Sequence, residues 1–172
     1  MIQLMWGEAL AAIAKKKADG SYDAFQKLPK CVENALQLNT TKGEKKEAKV
    51  EGGGIEAVKY NANAYSLAMS FRRGRVDGKM RTFPFDDDEV DGVVDGVYYL
   101  RVQPEDKASG GLSVKEVVIS TEDTYTTAEG AIKVVTFDFI KPEGEDENGK
   151  KIPTINWDPI PDLTAAAPTP AA

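Results

Sequence analysis

The sequence contains no histidine and a single cysteine, Cys31, among its 172 residues. Histidine is the commonest general base and a very common metal ligand, so its absence excludes most of the familiar sets of catalytic residues in hydrolases and transferases. One cysteine excludes an internal disulfide framework, a CxxC redox pair and a cysteine-rich zinc site. Chemistry by carboxylates, lysine or serine stays open, and no residue pattern predicts a cofactor.

Long apolar runs and an excess of positive charge are also missing. No stretch approaches the roughly 18 consecutive apolar residues of a membrane-spanning helix, because Glu8, Lys15 and Asp19 interrupt the one candidate. The positive charges that begin at Lys15 follow the apolar opening instead of preceding it, which predicts a mature cytosolic N-terminus rather than a signal peptide. With 28 acidic against 22 basic residues the net charge is −6, which argues against tight binding of nucleic acid.

Short strands separated by glycine turns dominate the sequence from Leu36 onward. Polar and apolar residues alternate in 65–71, and the segment 131–140 carries β-branched and aromatic residues on both faces. Segments 112–120 and 97–102 predict further strands. Asp-Gly or Glu-Gly steps recur at 19–20, 77–78, 91–92, 95–96 and 129–130. The pattern predicts one mainly β domain, a β-sandwich or barrel of short antiparallel strands with one minor helix and a long projecting loop.

Helical signals are few. The segment 28–36 predicts two helical turns, with Pro29 tolerated at the first helical position. Segment 9–17 has good helix propensity but also alternates, so helix and strand both stay open there. The domain is expected to span residues 1–162. The Ala-, Pro- and Thr-rich segment 163–172 has nothing to bury and is predicted to be disordered.

Two acidic runs raise the question of a metal site. Segment 86–91 offers several oxygen ligands of the kind that calcium prefers. An EF-hand frame that starts at Asp87 places Tyr98 where the bidentate glutamate is needed, so a solvated acidic loop is favoured and no metal ligand is assigned. The second run, 143–149, is typical of a hairpin turn.

The residue types present leave two functions open, a binding module and a hydrolase. A monomeric β-sandwich that binds carbohydrate or a surface partner would use aromatic side chains as stacking platforms, and the candidates are Tyr98, Tyr99, Tyr125 and Trp157. A hydrolase would need two converging carboxyl groups, for which Glu122 and Asp123 are candidates.

The basic cluster 72–75 would either stay solvated or meet an acidic partner, such as segment 86–91 of another copy.

The charged segment 40–54 is the most informative part of the chain. It mixes both charge signs, holds one large apolar residue, Val50, and ends in three glycines. Such a segment cannot pack in the core of its own domain, so it is expected to project and to contact other molecules. Its glycines predict a flexible turn rather than a phosphate cradle, because a strand pattern and not a helix start follows them.

The order of several short motifs resembles that of the major tail tube proteins of long-tailed bacteriophages and prophages. The resemblance covers residues 6–142 and is carried by Trp6-Gly7-Glu8, Lys27-Leu28-Pro29, the run 38–53, the strand at Tyr65 and the run 118–130. The tube protein of type VI secretion systems shares the same architecture. No single motif is specific, and their order carries the resemblance.

The resemblance implies a structural protein and not an enzyme. Its copies would form hexameric rings that stack into a tube, and the tube would conduct the genome. The implied partners are further copies of the chain, other tail proteins and passing DNA that is not bound tightly, with no membrane. The implied location is the virion tail, and the host cytoplasm during assembly. An acidic channel wall would repel DNA phosphates and let the polymer slide.

The resemblance also implies two sets of contact residues. The projecting loop would reach the neighbouring ring through Thr40, Lys42, Glu44, Lys45, Lys46, Glu47, Lys49 and Glu51. Sheets of adjacent subunits would meet through Tyr65, Leu67, Met69, Phe71, Val135, Phe137 and Phe139.

Overall fold

The structure, a computed structural model, describes residues 1–158, 160 and 162–167. Strands make up 47% of it and helical turns 4%, which confirms the predicted mainly β class. The strands are β1 (Leu10–Lys15), β2 (Gln26–Lys27), β3 (Gln37–Thr41), β4 (Lys45–Lys49), β5 (Ile55–Tyr60), β6 (Ala64–Arg72), β7 (Arg75–Val76), β8 (Lys79–Met80), β9 (Glu89–Val90), β10 (Val93–Val94), β11 (Tyr98–Gln103), β12 (Leu112–Thr126) and β13 (Gly130–Phe139).

Nine of these strands form one antiparallel sheet. Its main path runs β2-β1-β11-β12-β13-β6-β3, and β10 joins β12 with β9 beside it. The long strands β12 and β13 pair without interruption from Val117 opposite Phe139 to Thr126 opposite Gly130. Two hairpins, β4-β5 and β7-β8, lie off this sheet. One of them, β4-β5, contains most of the segment that the sequence predicts to project.

Asp-Gly steps form two of the short hairpins. Asp77 and Gly78 have φ angles of 51° and 77° between β7 and β8, and Asp91 and Gly92 have 49° and 85° between β9 and β10. Two successive positive φ angles are typical of the type I′ turn, whose twist matches that of paired antiparallel strands. The predicted turns at these two steps are confirmed.

The core lies on one face of the sheet. Strands β1, β6, β11, β12 and β13 each contribute buried side chains to it, among them Ile13, Leu67, Leu100, Ile119 and Phe137. Phe83 and Phe85, which precede β9, stack on each other with ring centroids 5.6 Å apart and belong to the same cluster. Strand β1 is buried on both faces, because Ala12 and Ala14 pack in a second cluster with Phe25, Tyr99 and Leu163. The continuous pairing of β1 with β11, from Leu10 opposite Gln103 to Lys15 opposite Tyr98, decides the open choice for segment 9–17 in favour of a strand.

The helix predicted at 28–36 does not form. The amide of Leu28 donates to the carbonyl of Ala11 at 2.9 Å, and the amide of Val32 donates to the carbonyl of Ser70 at 2.7 Å. In a helix over 28–36 the amide of Val32 would donate to the carbonyl of Leu28, four residues earlier. It bonds to β6 instead, and Leu28 bonds to β1. Helical conformation in the described residues is limited to two 3-10 turns, Asp86–Asp88 and Lys107–Ser109.

The chain beyond residue 158 packs against the sheet where it is described. Leu163 is 3% exposed, and the guanidinium of Arg101 donates to the carbonyl of Ala165 at 2.7 Å. The side-chain amide of Gln103 donates to the carbonyl of Ile160. The expectation that nothing in segment 163–172 is buried is thus corrected for Leu163, while residues 168–172 lie outside the described residues.

Candidate assembly surfaces

Most of the predicted projecting segment, 40–54, lies in a two-stranded hairpin, residues 43–61, which we call the arm. Of the eight predicted contact residues, Lys45, Lys46, Glu47 and Lys49 lie on β4, and Glu44 directly precedes it. Glu51 lies in the turn, Lys42 just before the arm and Thr40 on β3. Seven of the eight are exposed, and Glu47 is half-buried.

The base of the arm is fixed by hydrogen bonds and close backbone contacts around Gly43. Its amide donates to Oδ1 of Asn63 at 2.9 Å, and the amide of Asn61 donates to the carbonyl of Glu44 at 2.9 Å. A Cβ atom at position 43 would overlap the carbonyl oxygen of Asn61. Glycine is therefore required here by close approach of the two chains and not by an unusual φ angle.

The two faces of the arm differ in chemistry. Register places Tyr60 opposite Lys45 and Val58 opposite Glu47 on one face. Val58 is 46% and Tyr60 57% exposed, so this face presents uncovered apolar surface beside the Lys45–Glu47 ion pair. The other face carries Lys46 opposite Lys59, followed by Ala48 opposite Ala57.

The apolar side chains of β5 are contact candidates that the sequence reasoning omitted. The signal was present, because the strand pattern of residues 55–60 directly follows the glycine turn. An isolated two-stranded hairpin is at best marginally stable in water. A hairpin that also exposes Ile55, Val58 and Tyr60 is therefore suited to lie against another surface.

Five of the seven predicted inter-subunit sheet residues lie inside the core of one subunit. Leu67, Met69, Phe71, Val135 and Phe137 are each at most 1% exposed. Tyr65 and Phe139 are half-buried and pack against the same cluster. Successive side chains along a strand point to opposite faces of the sheet. The sequence pattern does not indicate which face of β6 and β13 is covered by the subunit itself. The five buried side chains therefore stabilise the subunit, while a contact of Tyr65 and Phe139 with another copy stays a prediction.

The edge of the sheet offers a second surface. Strand β3 is the terminal strand of the main path and pairs with β6 alone, from Gln37 opposite Ala68 to Thr41 opposite Ala64. Four of its five residues are exposed. An edge strand leaves a row of backbone donors and acceptors free to pair with another chain.

The first acidic run is held by hydrogen bonds and ion pairs. Oδ2 of Asp86 accepts from the amide of Phe83 at 2.6 Å. Oδ1 of Asp88 lies 2.6 Å from Nζ of Lys15, and its Oδ2 accepts from the hydroxyl of Tyr98 at 2.9 Å. The lysine bond first, and the tyrosine bond second, hold the pKa of Asp88 below its ordinary value. Among the described residues, no group of three or more acidic or cysteine side chains is placed to hold a metal ion.

The residues named for the two rival functions do not converge on a site. Tyr98 and Tyr99 are buried, so of the four stacking candidates only Tyr125 and Trp157 are exposed. Glu122 and Asp123 are successive residues of β12, whose side chains point to opposite faces of the sheet. Oδ1 of Asp123 is bonded to Nε of Arg73 at 2.9 Å.

Comparison with known proteins finds a similar fold in a solved structure, but no similar sequence. No family model matches the sequence, and no curated protein matches it. A solved structure does match, with a TM-score of 0.52 at 11% identity, over 80% of this chain and 93% of the other. That structure is the sheath/tube terminator of an extracellular contractile injection system, PVC, in its extended state. The fold is similar to that of a tube terminator.

In the described residues no helix is long and apolar enough to cross a membrane.

Proposed function

We propose that this chain is a structural, self-assembling tail tube subunit whose copies form stacked, hexameric rings around a DNA-conducting channel. The observation that carries the proposal is the arm, which exposes apolar and charged residues on both of its faces and extends from a sheet with an unpaired edge. The similarity of fold to a tube terminator supports a role in a tail assembly. The order of motifs in the sequence, which resembles that of tail tube proteins, supports the tube in particular.

Subunit contacts of two kinds follow from the surfaces. Edge strands such as β3 would pair laterally and extend the sheet around a ring. The arm would reach the next ring along the tube axis. Because each contact joins two different patches of the same chain, repetition closes into a ring or continues as a filament.

The charge of the chain suits a channel for DNA. The net charge is −6, and a wall that repels phosphates neither binds nor slows a passing duplex. Other tail proteins would contact the ends of the tube. The assembled protein would lie in the virion tail, after assembly in the cytoplasm of the bacterial host.

A terminator ring is the second candidate, because the matching structure is a sheath/tube terminator. A terminator would form a single ring that caps a tube, whereas a tube subunit would stack without a fixed length. Negative-stain electron microscopy of the concentrated protein separates the two: tubes of varied length support the tube subunit, and single rings support the terminator.

The role of the arm is tested by replacing residues 44–61 with two glycines. Gly43 and Ala62 lie close together at the base of the arm, so the short link preserves the sheet. We expect stacking to be lost while the melting temperature stays within a few degrees of the parent. A monomer that binds sugar and never assembles, with or without the arm, would contradict the proposal and favour a binding module.

A further inference from the structure

Two lysines face each other across the arm without a counter-charge. Lys46 on β4 is directly opposite Lys59 on β5, and like charges at such positions destabilise a strand pair. Among the described residues no carboxylate oxygen lies within 4.0 Å of either ammonium group. The neighbouring Lys45, by contrast, is paired with Glu47. The subunit alone therefore leaves a repulsive pair on an exposed hairpin.

Two of the three arginines in the basic cluster 72–75 are paired with carboxylates of the same subunit. Nε of Arg73 lies 2.9 Å from Oδ1 of Asp123, and Nη2 of Arg72 lies 3.7 Å from Oε2 of Glu129. The basic cluster 72–75, which the sequence offers as a surface for an acidic partner, is thus largely occupied by acids of its own chain. This occupation leaves the arm lysines as the better candidates for an intermolecular contact.

The matching surface is residues 84–96, which we call the acidic lobe. It contains six carboxylates and neither lysine nor arginine. Two of the six, Asp88 and Glu89, are paired with Lys15 and Lys133. Three of the other four, Asp87, Asp91 and Asp95, are exposed, and none of the three has a cation within 4.0 Å among the described residues. Val90 and Val93 lie opposite each other on the same lobe and are both exposed.

We propose that the Lys46–Lys59 face of the arm docks on the acidic lobe of a second copy of this chain. The inference rests on the proposed function and names the partner surface of the arm. Lobe carboxylates neutralise the two lysines, and the exposed valines cover the flat surface of Ala48 and Ala57 beside them. An apolar centre within a charged rim is typical of a specific protein interface. Complementary charge also fixes which two patches meet.

A charge swap tests the contact. The variants are Lys46→Glu/Lys59→Glu on the arm, Asp87→Lys/Asp95→Lys on the lobe, and the quadruple variant that carries both. Lys150→Glu/Lys151→Glu is the matched control for the arm variant, because it makes the same change in net charge at exposed lysines outside the arm and the lobe. Sedimentation velocity over a range of protein concentrations measures assembly, and circular dichroism confirms that each variant is folded.

Each double variant is expected to weaken assembly on the order of tenfold or more, the quadruple variant to restore it, and the control to assemble like the parent. A Lys46→Glu/Lys59→Glu protein that assembles as well as the control would overturn the pairing and leave the proposed function standing. A quadruple variant that stays impaired would show that the two patches do not meet, which also overturns the pairing.

Two further outcomes are informative. If the parent bound a DNA fragment at 150 mM salt and Lys46→Glu/Lys59→Glu abolished that binding without affecting assembly, the lysines would serve nucleic acid and the inference would be wrong. A parent protein that remains monomeric at every concentration would instead contradict the proposed function itself.

Discussion

Nζ of Lys133 lies 2.6 Å from Oε1 of Glu89, in an ion pair whose lysine side chain is 1% exposed. The same carboxylate oxygen accepts from the hydroxyl of Thr121 at 2.5 Å. The ammonium group also lies 5.6 Å and 5.8 Å from the ring centroids of Phe83 and Phe85. This network ties the acidic lobe to the inner face of β13. It shows that part of the acidic run is an internal counter-charge and not a solvated loop.

Removing the counter-charge alone should destabilise the subunit strongly. Glu89→Gln removes the nearer counter-charge of the buried Lys133 ammonium and leaves it only Oδ1 of Asp123, at 4.0 Å. Breaking a buried ion pair costs about 3–5 kcal/mol. Adding Lys133→Met should recover most of that loss, since apolar residues of similar volume often replace a buried ion pair without penalty. Urea unfolding at pH 7 measures both. Equal stability of Glu89→Gln and the parent would show that the pair is solvated.

Asp88 should make the stability depend on acid pH. Its native pKa is lowered by Lys15 and Tyr98, so the native state favours the charged carboxylate more than the unfolded chain does. The resulting stability is fully present above the unfolded pKa of about 3.9 and is lost as the pH falls through the lower native pKa.

The matched variant is Asp88→Asn. Both partners are partly exposed, so we expect the parent to exceed it by about 0.5–1 kcal/mol near pH 7. The difference should shrink progressively as the pH falls below the unfolded pKa of about 3.9. Urea unfolding at a series of pH values measures it, and a difference that stays constant across the series would contradict the role of the charge.

A single methyl group at the base of the arm should disturb it. Gly43→Ala places a Cβ atom against the carbonyl of Asn61, so the two chains must separate and the β4-β5 pairing should loosen. Gly74→Ala is the control, because a Cβ atom there has no atom within 4 Å. Hydrogen exchange of the β4 and β5 amides should accelerate in Gly43→Ala and not in Gly74→Ala. Unchanged exchange in both variants would mean that the base adapts freely.

The buried face of β13 should govern folding of the single subunit. Phe137 is fully buried, and Phe137→Ala is expected to cost about 3–5 kcal/mol. Thr136 lies on the opposite, partly exposed face, and Thr136→Ala should stay within about 0.5 kcal/mol of the parent. Denaturant unfolding at concentrations below assembly measures both. If Phe137→Ala changed the free energy of unfolding little at these concentrations but abolished assembly, Phe137 would be an interface residue and not a core residue.

Local signals were sufficient for much of the fold. Strands 65–71 and 131–140 follow from alternation and β-branched composition, and the structure has them as β6 and β13 within one or two residues. Asp-Gly at 77–78 and at 91–92 forms hairpin turns because aspartate tolerates a positive φ and glycine adopts it without strain. The arm is likewise visible locally, since a charged segment that ends in glycines has too little apolar surface to enter a core.

The amino-acid sequence by itself determined the strands at 65–71 and 131–140, the tight turns at 77–78 and 91–92 and the segment that projects, because these depend on residues within a few positions of one another. Only the tertiary structure decided which strand face is buried, that segment 28–36 bonds to strands instead of forming a helix, that Leu163 is covered, and that Lys133 meets Glu89. The physical reason is distance along the chain: each of these outcomes depends on a partner that is remote in sequence, and burial or pairing by such a partner overrides the local preference of the segment.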